Sequence, residues 1–219
     1  GIRLGSMRRA THAILPDAAA VPGDAGMPAD ADAALLRRYA RGDRSAARIL
    51  ADRLLPRAAG YAARLLSDPA EAEDVAQEAM LRLWRIAPAW RDGEARVTTW
   101  LYRVVTNLCI DRQRARGRRG AVALDDVAEP ADDRPGALAG LIAADRARAL
   151  QQALASLPER QRQAVVLRHI EGLTNPEIAA VMDLGVAAVE SLTARGRRAL
   201  AEMLAAQRED LGGDAEERG

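Results

Sequence analysis

The stretch that decides the fold lies near the C-terminus, where residues 174–200 read TNPEIAAVMDLGVAAVESLTARGRRAL. Thr174 and Glu177 have the spacing of a capping box, which predicts that a helix begins here. Residues 183–185 interrupt the helical pattern, and Gly185 is the expected left-handed turn residue. A short helix, a turn and a longer helix carrying arginines are typical of a DNA-reading helix-turn-helix. The same pattern also fits an αα-hairpin within an all-α core.

The second helix of this stretch offers candidate DNA contacts. Residues at the start of such a helix meet base edges, and arginines further along suit phosphates. Glu190 is the acidic member, and its carboxylate can accept a hydrogen bond from the cytosine amine. The alternative for Glu190 is a solvated charge. The candidate contacts are Thr174, Ala187, Glu190, Ser191, Ala194, Arg195, Arg197 and Arg198.

The composition favours an all-α protein. Aromatic residues make up 3% of the 219 residues, and the chain has no Phe and one Cys. Strand-favouring aromatics and alternating runs are missing, and a lone Cys excludes an internal disulfide or a Cys-based zinc site. No metal or other cofactor is expected. Because we find neither a membrane-spanning run nor a signal core, we expect a cytoplasmic protein without membrane insertion.

Composition shifts predict two small helical domains joined by a flexible acidic linker. Residues 32–116 and 141–206 carry helical patterns, while residues 117–140 are rich in Gly, Pro and acidic residues. Residues 1–31 are expected to form a disordered tail, and residues 207–219 are expected to fray. The first six residues resemble a cloning remnant, so the natural start would be Met7 or Met27.

Three further helices are predicted within the two domains. Residues 71–86 form an amphipathic pattern whose apolar stripe consists of Val75, Ala79, Leu83 and Ile86. Thr98 or Thr99 is the expected N-cap of a helix that ends near residue 116. In the second domain, Ser156 and Glu159 have the spacing of another capping box.

The helix that follows Trp100 has two distinct sides. Leu101, Val104, Val105 and Leu108 share one side and are expected to face a core. The opposite flank combines an aromatic ring, an amide and cations, which is how proteins hold single-stranded nucleic acid. Alternatively, the Trp is partly buried against the preceding helix and the arginines are merely solvated. The candidates for single-strand binding are Trp100, Arg103, Asn107 and Arg114, with Arg112 from the same arginine-rich run.

The polar side of residues 71–86 carries Asp74, Gln77, Glu78 and Arg82. Paired carboxylates can bind a metal or transfer protons, but the chain supplies no partner His and no Gly-rich phosphate loop. The sequence therefore predicts no catalytic residue. We expect a solvated helix face or a surface that docks on another protein.

Taken in order, these segments resemble the extracytoplasmic-function (ECF) sigma factors, the smallest group of the bacterial sigma-70 family. Residues 68–85, DPAEAEDVAQEAMLRLWR, are similar to region 2.2, and residues 98–119, TTWLYRVVTNLCIDRQRARGRR, are similar to regions 2.3 and 2.4. Residues 157–200 resemble region 4. A linker stands where larger sigma factors carry another domain.

The resemblance implies a non-catalytic specificity subunit of RNA polymerase. Residues 32–116 would be a sigma-2-like domain and residues 141–206 a sigma-4-like domain, which would bind the clamp helices of the largest subunit and the flap of the second. Asp74, Gln77, Glu78 and Arg82 would then contact polymerase.

The same resemblance implies roles toward promoter DNA and a regulator. Trp100 and the flank around it would melt and bind the −10 element, residues 92–97 would capture a flipped base, and the recognition helix would read the −35 element. The acidic linker would follow the path toward the RNA exit channel. An anti-sigma factor is expected as partner, with the protein a monomer when free or in a 1:1 complex. The genes it controls would respond to stress or another signal.

Some residues depart from the pattern of that family. Thr193 stands where an apolar residue is usual and Gly196 where Ala is common, which predicts a less stable recognition helix because Gly costs about 1 kcal/mol relative to Ala. Glu190 stands where a basic residue is frequent. A competing hypothesis is a dimeric helix-turn-helix repressor or activator, but it leaves the faces of Asp74 and Trp100 without a purpose.

Overall fold

The helices observed in the chain agree with the predicted all-α class. The computed structural model describes residues 30–93, 95–120 and 138–216. Side chains are described for residues 30–93, 95–118 and 144–206. These residues form helices and no strand. The helices are α1 (Ala31–Ala40), α2 (Arg44–Leu66), α3 (Pro69–Ile86), α4 (Val97–Gly120), α5 (Leu138–Ser156), α6 (Glu159–His169), α7 (Asn175–Met182) and α8 (Val186–Glu216), with a 3₁₀ turn at Ala87–Ala89.

Aspartates begin the first three helices. The side chain of Asp30 accepts a hydrogen bond from the backbone N–H of Asp32, Asp43 caps α2 and Asp68 caps α3 in the same way. Each carboxylate satisfies N–H groups that the first turn leaves without a partner, and its charge suits the positive end of the helix dipole. Ser67, in the left-handed conformation, ends α2 and lets α3 turn back along it.

Helices α1 to α4 enclose the first core. The apolar stripe predicted on α3 is buried at Val75, Ala79 and Leu83, and Ile86 packs at its edge. The predicted core side of α4 is buried as well, at Leu101, Val104, Val105 and Leu108. One hydrogen bond crosses this core, between the hydroxyl groups of Tyr61 and Thr106 at 2.9 Å.

The start of α4 differs from the prediction. Neither Thr98 nor Thr99 is its N-cap, because the helix already begins at Val97. The Val97 N–H instead donates to the Oδ2 atom of Asp30 at 2.8 Å, while Asp30 Oδ1 accepts from Asp32. One carboxylate therefore fixes the first turns of α1 and α4 together, and the helix continues to Gly120, past the predicted end at residue 116.

Helices α5 to α8 form the second group, and the predicted capping box of α7 is confirmed. Thr174 accepts from the Glu177 N–H, and the Glu177 carboxylate accepts from the Thr174 N–H at 2.8 Å. The turn residue was predicted wrongly: Asp183, with φ of 54°, takes the left-handed conformation, and Gly185 does not. Asp is among the residues that tolerate this conformation, because its short polar side chain bonds locally.

Two other expectations for this group also change. Ser156 does not form a capping box with Glu159, since its hydroxyl donates to the Gln152 carbonyl at the end of α5 and α6 begins after Pro158. Helix α8 extends to Glu216, past the predicted end at residue 206. Residues 1–29, most of the predicted linker and the last three residues lie outside the described part of the chain.

Gly196 allows α8 to lie close to α6. A Cβ atom built on Gly196 would be 2.6 Å from Cγ2 of Val165 and 3.2 Å from the backbone oxygen of Gln161. Neither distance leaves room for a methyl group. The glycine that was expected to weaken the recognition helix is therefore needed for the packing of the second core.

The two groups of helices contact each other directly. The guanidinium of Arg162 on α6 donates to the carbonyl oxygen of Leu65 at 2.8 Å, at the end of α2. Gln151 on α5 donates to the Ala63 carbonyl at 3.3 Å, and the Tyr102 hydroxyl donates to Glu171. Helix α7 packs along α4, so the second group covers one side of the helix predicted to bind the −10 element.

Candidate nucleic-acid and protein interfaces

The polar face of α3 is exposed, as a docking surface requires. The Asp74 side chain is 68% exposed, and Gln77 is exposed next to it. Arg82 Nε donates to Glu78 Oε1 at 2.9 Å across one helical turn, which holds both side chains on this face. Because Val75, Ala79 and Leu83 point into the core, the helix keeps the polar face outward.

Leu81 lies on the same face and was missed by the sequence analysis. It is 50% exposed and follows Asp74 by seven residues and Glu78 by three, which places it on the same side of the helix. An exposed Leu inside a charged face supplies apolar area that a partner can bury. The signal available in the sequence was an apolar residue at a position of the polar stripe.

The residues predicted to bind a single strand do not all share one flank. Asn107 and Arg114 are exposed, whereas Trp100 and Arg103 are half-buried. Arg112 lies elsewhere, with its guanidinium 3.8 Å from the Asp74 carboxylate. Twelve residues separate it from Trp100, which turns it about a third of a revolution around α4. Arg112 therefore borders the exposed face of α3.

Trp100 is held by a second indole. The ring centres of Trp90 and Trp100 are 6.4 Å apart with planes at 86°, the edge-to-face arrangement that aromatic pairs favour. Trp90 follows the 3₁₀ turn after α3, so Trp100 is partly buried against the preceding segment while part of its ring remains accessible. This arrangement orients the ring beside the flank and leaves it able to stack.

The flank faces a cleft between the two groups of helices. The cleft has a volume of about 320 Å³, and its far wall comes from α6 and from the end of α7. Three arginines bring positive charge to it, and Glu159 and Asp183 oppose them. A nucleic-acid strand lying on the flank has to enter this space or displace its far wall. The lining includes Arg103, Asn107, Arg114, Arg160, Gln163 and Asp183.

Three contacts fix the loop before α4 to the region of α1 and to α7. Arg37 on α1 pairs with Asp92, and Asp30 accepts from the Val97 N–H. Arg96 Nη1 lies 3.4 Å from the Glu177 carboxylate, the same group that completes the capping box of α7. Of residues 92–97, which were predicted to capture a base, Glu94 lies outside the description.

The helix-turn-helix presents its predicted contacts to solvent. Val189 and Ile178 are buried between α7 and α8, so the opposite side of α8 is exposed. Thr174 is also exposed, although its hydroxyl is engaged in the capping box. The exposed predicted residues on α8 are Ala187, Glu190, Ser191, Ala194, Arg195, Arg197 and Arg198.

Glu177 and Cys109 are among the groups whose pKa values are moved by their surroundings. Burial opposes ionisation of Glu177, but hydrogen bonds from Thr174 and Arg96 outweigh it and lower the pKa of this carboxyl below 4.5. Burial raises the pKa of the Cys109 thiol to about 12, with the nearby Arg112 opposing the shift. Glu177 is thus held as an anion beside Arg96, while Cys109 behaves as a small apolar core residue.

The described residues contain no candidate metal site and no candidate membrane span. They hold no group of three or more His, Cys, Asp or Glu side chains able to bind a metal ion. Among the helices described, none is long and apolar enough to cross a membrane.

Comparison with known sequences relates both groups of helices to one family. The Sigma-70 region 2 profile matches residues 50–119, and the Sigma-70 region 4 profile matches residues 147–200. The chain is 35% identical to the RNA polymerase sigma-H factor of Pseudomonas aeruginosa over 182 residues, which span 79% of this chain and 93% of that protein. It is 36% identical to the ECF sigma factor SigM of Mycobacterium tuberculosis over 176 residues, 79% and 84% of the two chains.

Solved structures agree with these sequence matches. The sigma factor RpoE of Bartonella quintana, solved in complex with the anti-sigma factor NepR, superposes with a TM-score of 0.58 at 25% identity, covering 72% of this chain and 95% of that chain. CnrH, solved in complex with the cytosolic domain of CnrY, gives 0.59 at 28% identity, covering 81% and 99%.

Proposed function

The chain belongs to the ECF group of the sigma-70 family of RNA polymerase sigma factors, and on that premise we propose which of its surfaces bind polymerase and promoter DNA. As a sigma factor it directs core RNA polymerase to promoters, and no catalytic residue is assigned to it. Its place of action is the cytoplasm, with RNA polymerase.

Core polymerase docks on the exposed face of α3. Asp74, Gln77, Glu78 and Arg82 supply charge and hydrogen bonds, and Leu81 supplies exposed apolar area that a partner can bury. The match to region 2, which includes this helix, supports the assignment. The docking partner on this side is the pair of clamp helices in the largest subunit, and the second helical group contacts the flap of the second-largest subunit.

The opened −10 element binds along α4. Trp100 stacks on a base, Asn107 donates and accepts hydrogen bonds, and Arg103 and Arg114 neutralise phosphates. Arg112 joins them only if the strand passes the edge of α3, where its partner is Asp74. The exposed side of α8 enters the major groove of the −35 element.

An anti-sigma factor regulates the chain in the same proposal. RpoE was solved with the anti-sigma factor NepR, and CnrH was solved in complex with the cytosolic domain of CnrY. A regulator that bridges the two helical groups would keep the cleft beside α4 closed to DNA. The free protein would be a monomer. Because one chain carries both DNA surfaces, a weak contact at one surface raises the effective concentration of promoter DNA at the other.

Run-off transcription tests the proposal. Core polymerase free of any sigma factor is incubated with fragmented genomic DNA from the source organism, with and without this protein. We expect discrete new transcripts, which Asp74→Ala/Glu78→Ala abolishes by weakening the docking face. The matched control Asp52→Ala/Asp145→Ala removes the same charge from exposed positions on α2 and α5 and is expected to leave them intact.

No transcripts and no co-elution with core polymerase would contradict the proposal. A dimer bound to palindromic DNA would then favour the helix-turn-helix repressor or activator.

A further inference from the structure

The outward side of the recognition helix carries one long polar side chain in its first two turns, that of Glu190. Its exposed neighbours are shorter: Val186 and Ala187 lie one turn earlier, Ser191 beside it and Ala194 one turn later. Small residues allow the helix to approach base edges closely. The Glu190 carboxylate is therefore the group that extends furthest from this part of α8 into a groove.

The position of Glu190 is set from the first helix of the motif. Asn175 Nδ2 donates to Glu190 Oε1 at 3.3 Å. Asn175 is the first residue of α7, and the capping box next to it fixes that turn. The two residues are 15 apart in the chain and join the two helices on their exposed side.

The Glu190 carboxylate can accept further hydrogen bonds in this arrangement. Among the described residues Glu190 forms no ion pair, because its partner is a neutral amide and Arg195, one turn later, donates its Nε–H to the Ser191 carbonyl at 3.3 Å. An ionised carboxylate only accepts hydrogen bonds. A phosphate repels it, so its counterpart in a DNA groove is a base donor.

The major groove restricts that donor to one base. Guanine presents two acceptors there and thymine presents an acceptor and a methyl group, so both oppose a carboxylate. Adenine has an amine donor, but the acceptor N7 beside it faces the second carboxylate oxygen. Cytosine has the N4 amine with no adjacent acceptor at the groove edge. A carboxylate on a recognition helix thus selects cytosine.

Resting on the proposed function, we propose that Glu190 selects a cytosine at one position of the −35 element and that Asn175 is the positioning residue that aims it. Glu190 touches the base, whereas Asn175 acts through Glu190. The recognised group is the exocyclic amine of one cytosine in duplex DNA.

Selection from a promoter library tests this assignment. Holoenzyme assembled from the full chain and core polymerase is mixed with duplex promoters randomised over the −35 element, and the bound fraction is sequenced. We expect the wild type to enrich cytosine roughly tenfold at one position, in the range of one good base contact. Glu190→Gln should enrich adenine there, because an amide pairs with adenine N6 and N7. Glu190→Ala should abolish preference at that position alone.

Asn175→Ala and a control variant distinguish the positioning of Glu190 from an effect on the stability of the fold. Asn175→Ala should reduce the cytosine enrichment several-fold while the melting temperature stays unchanged, an effect that a merely structural role would not produce. Glu202→Gln makes the same chemical change at an exposed site further along α8 and should leave the selected motif unchanged.

The outcomes distinguish the inference from the function on which it rests. A cytosine enrichment that survives in both Glu190 variants overturns the inference alone, and so does an active holoenzyme whose selected −35 motif lacks a preferred cytosine. A wild-type chain that supports no transcription with core polymerase overturns the proposed function and the inference with it.

Discussion

Arg96 Nη1 and Glu177 Oε1 lie 3.4 Å apart although 81 residues separate them in the chain. The pair joins the loop before α4 to the first turn of α7. It therefore helps to fix the surface proposed for the −10 element relative to the motif proposed for the −35 element. The bond from Tyr102 on α4 to Glu171, between α6 and α7, joins the same two groups of helices. Glu171 and Glu177 therefore stabilise the arrangement in which α6 and α7 form the far wall of the cleft beside Arg103 and Asn107.

Removing these two charges should open the cleft. In Glu171→Gln/Glu177→Gln the amide at 177 can still cap α7, since Gln replaces Glu in a capping box. The Arg96–Glu177 pair is partly exposed, whereas the bond from Tyr102 to Glu171 is nearly buried. With about 1 kcal/mol for each contact, we expect a two- to tenfold gain in the affinity of the free chain for single-stranded −10 DNA. Fluorescence anisotropy measures the affinity, and small-angle scattering should show a larger radius of gyration.

The control for this prediction removes the same charge elsewhere. Asp145→Asn/Glu202→Gln changes exposed residues on α5 and α8 and should gain affinity only through the change in net charge. Equal gains in the two double variants, with an unchanged radius of gyration, would show that the contacts do not hold the cleft closed.

Arg162 should be the most costly arginine to remove from the contact between the helical groups. Its guanidinium donates to the carbonyl oxygens of Leu65, Ala155 and Leu157, and burial lowers its pKa. Arg162→Ala leaves these acceptors without their charged donor, which should cost about 1–3 kcal/mol in the free energy of unfolding. Arg160→Ala, two residues earlier and exposed, should cost less than about 0.5 kcal/mol in the same urea titration.

Gly196→Ala should destabilise the protein although Ala is the better helix former. Helix propensity favours Ala by about 1 kcal/mol, but the added Cβ meets Val165 Cγ2 at 2.6 Å, and overpacking costs about 1–3 kcal/mol. Val165→Ala combined with Gly196→Ala should recover part of the loss. In Gly60→Ala the new Cβ meets only the flexible end of Arg64, at 3.1 Å, so that variant should be neutral or slightly stabilised. Thermal unfolding compares the four proteins, and a gain in Gly196→Ala would contradict the packing explanation.

Much of the fold was predictable because it depends on local signals. The capping box at Thr174 and the buried stripe of Val75 and Leu83 use residues three or four apart, which a sequence displays directly. The start of α4 was not predictable, since its cap is Asp30, 67 residues earlier. A contact of that kind exists only after the helices have packed.

The candidate surfaces were likewise predictable where they depend on local signals and not where they depend on packing. The exposed side of α8 could be inferred from its helical period and from the turn before it. The placement of Arg112 could not be inferred from composition, because an arginine-rich run wraps around a helix and only packing decides which arginine meets Asp74. The orientation of Glu190 by Asn175 likewise depends on the angle between two helices.

Cys109 should resist thiol reagents in the folded protein. It is fully buried, and burial raises the pKa of its thiol from 9.0 to about 12, so almost no thiolate exists at pH 8. The same shift stabilises the fold below pH 9, and that contribution is lost as the pH rises from 9 to 12. Labelling with a chromogenic disulfide at pH 8 should track unfolding across a urea series. Rapid labelling without denaturant would show that the first core opens locally.

Leu81 should contribute to the polymerase affinity through the apolar area that docking buries. It is 50% exposed between charged residues that a docking partner would also desolvate. Leu81→Ala loses part of the 1.5–3 kcal/mol that a fully buried Leu contributes, which corresponds to roughly five- to tenfold weaker binding to core polymerase. Leu55→Ala on α2, 36% exposed, is the matched control and should bind as the wild type does. Because neither side chain supports the interior, both variants should keep the wild-type melting temperature, so a difference in polymerase affinity between them reports docking alone. Equal affinities would place the apolar centre of the interface away from α3.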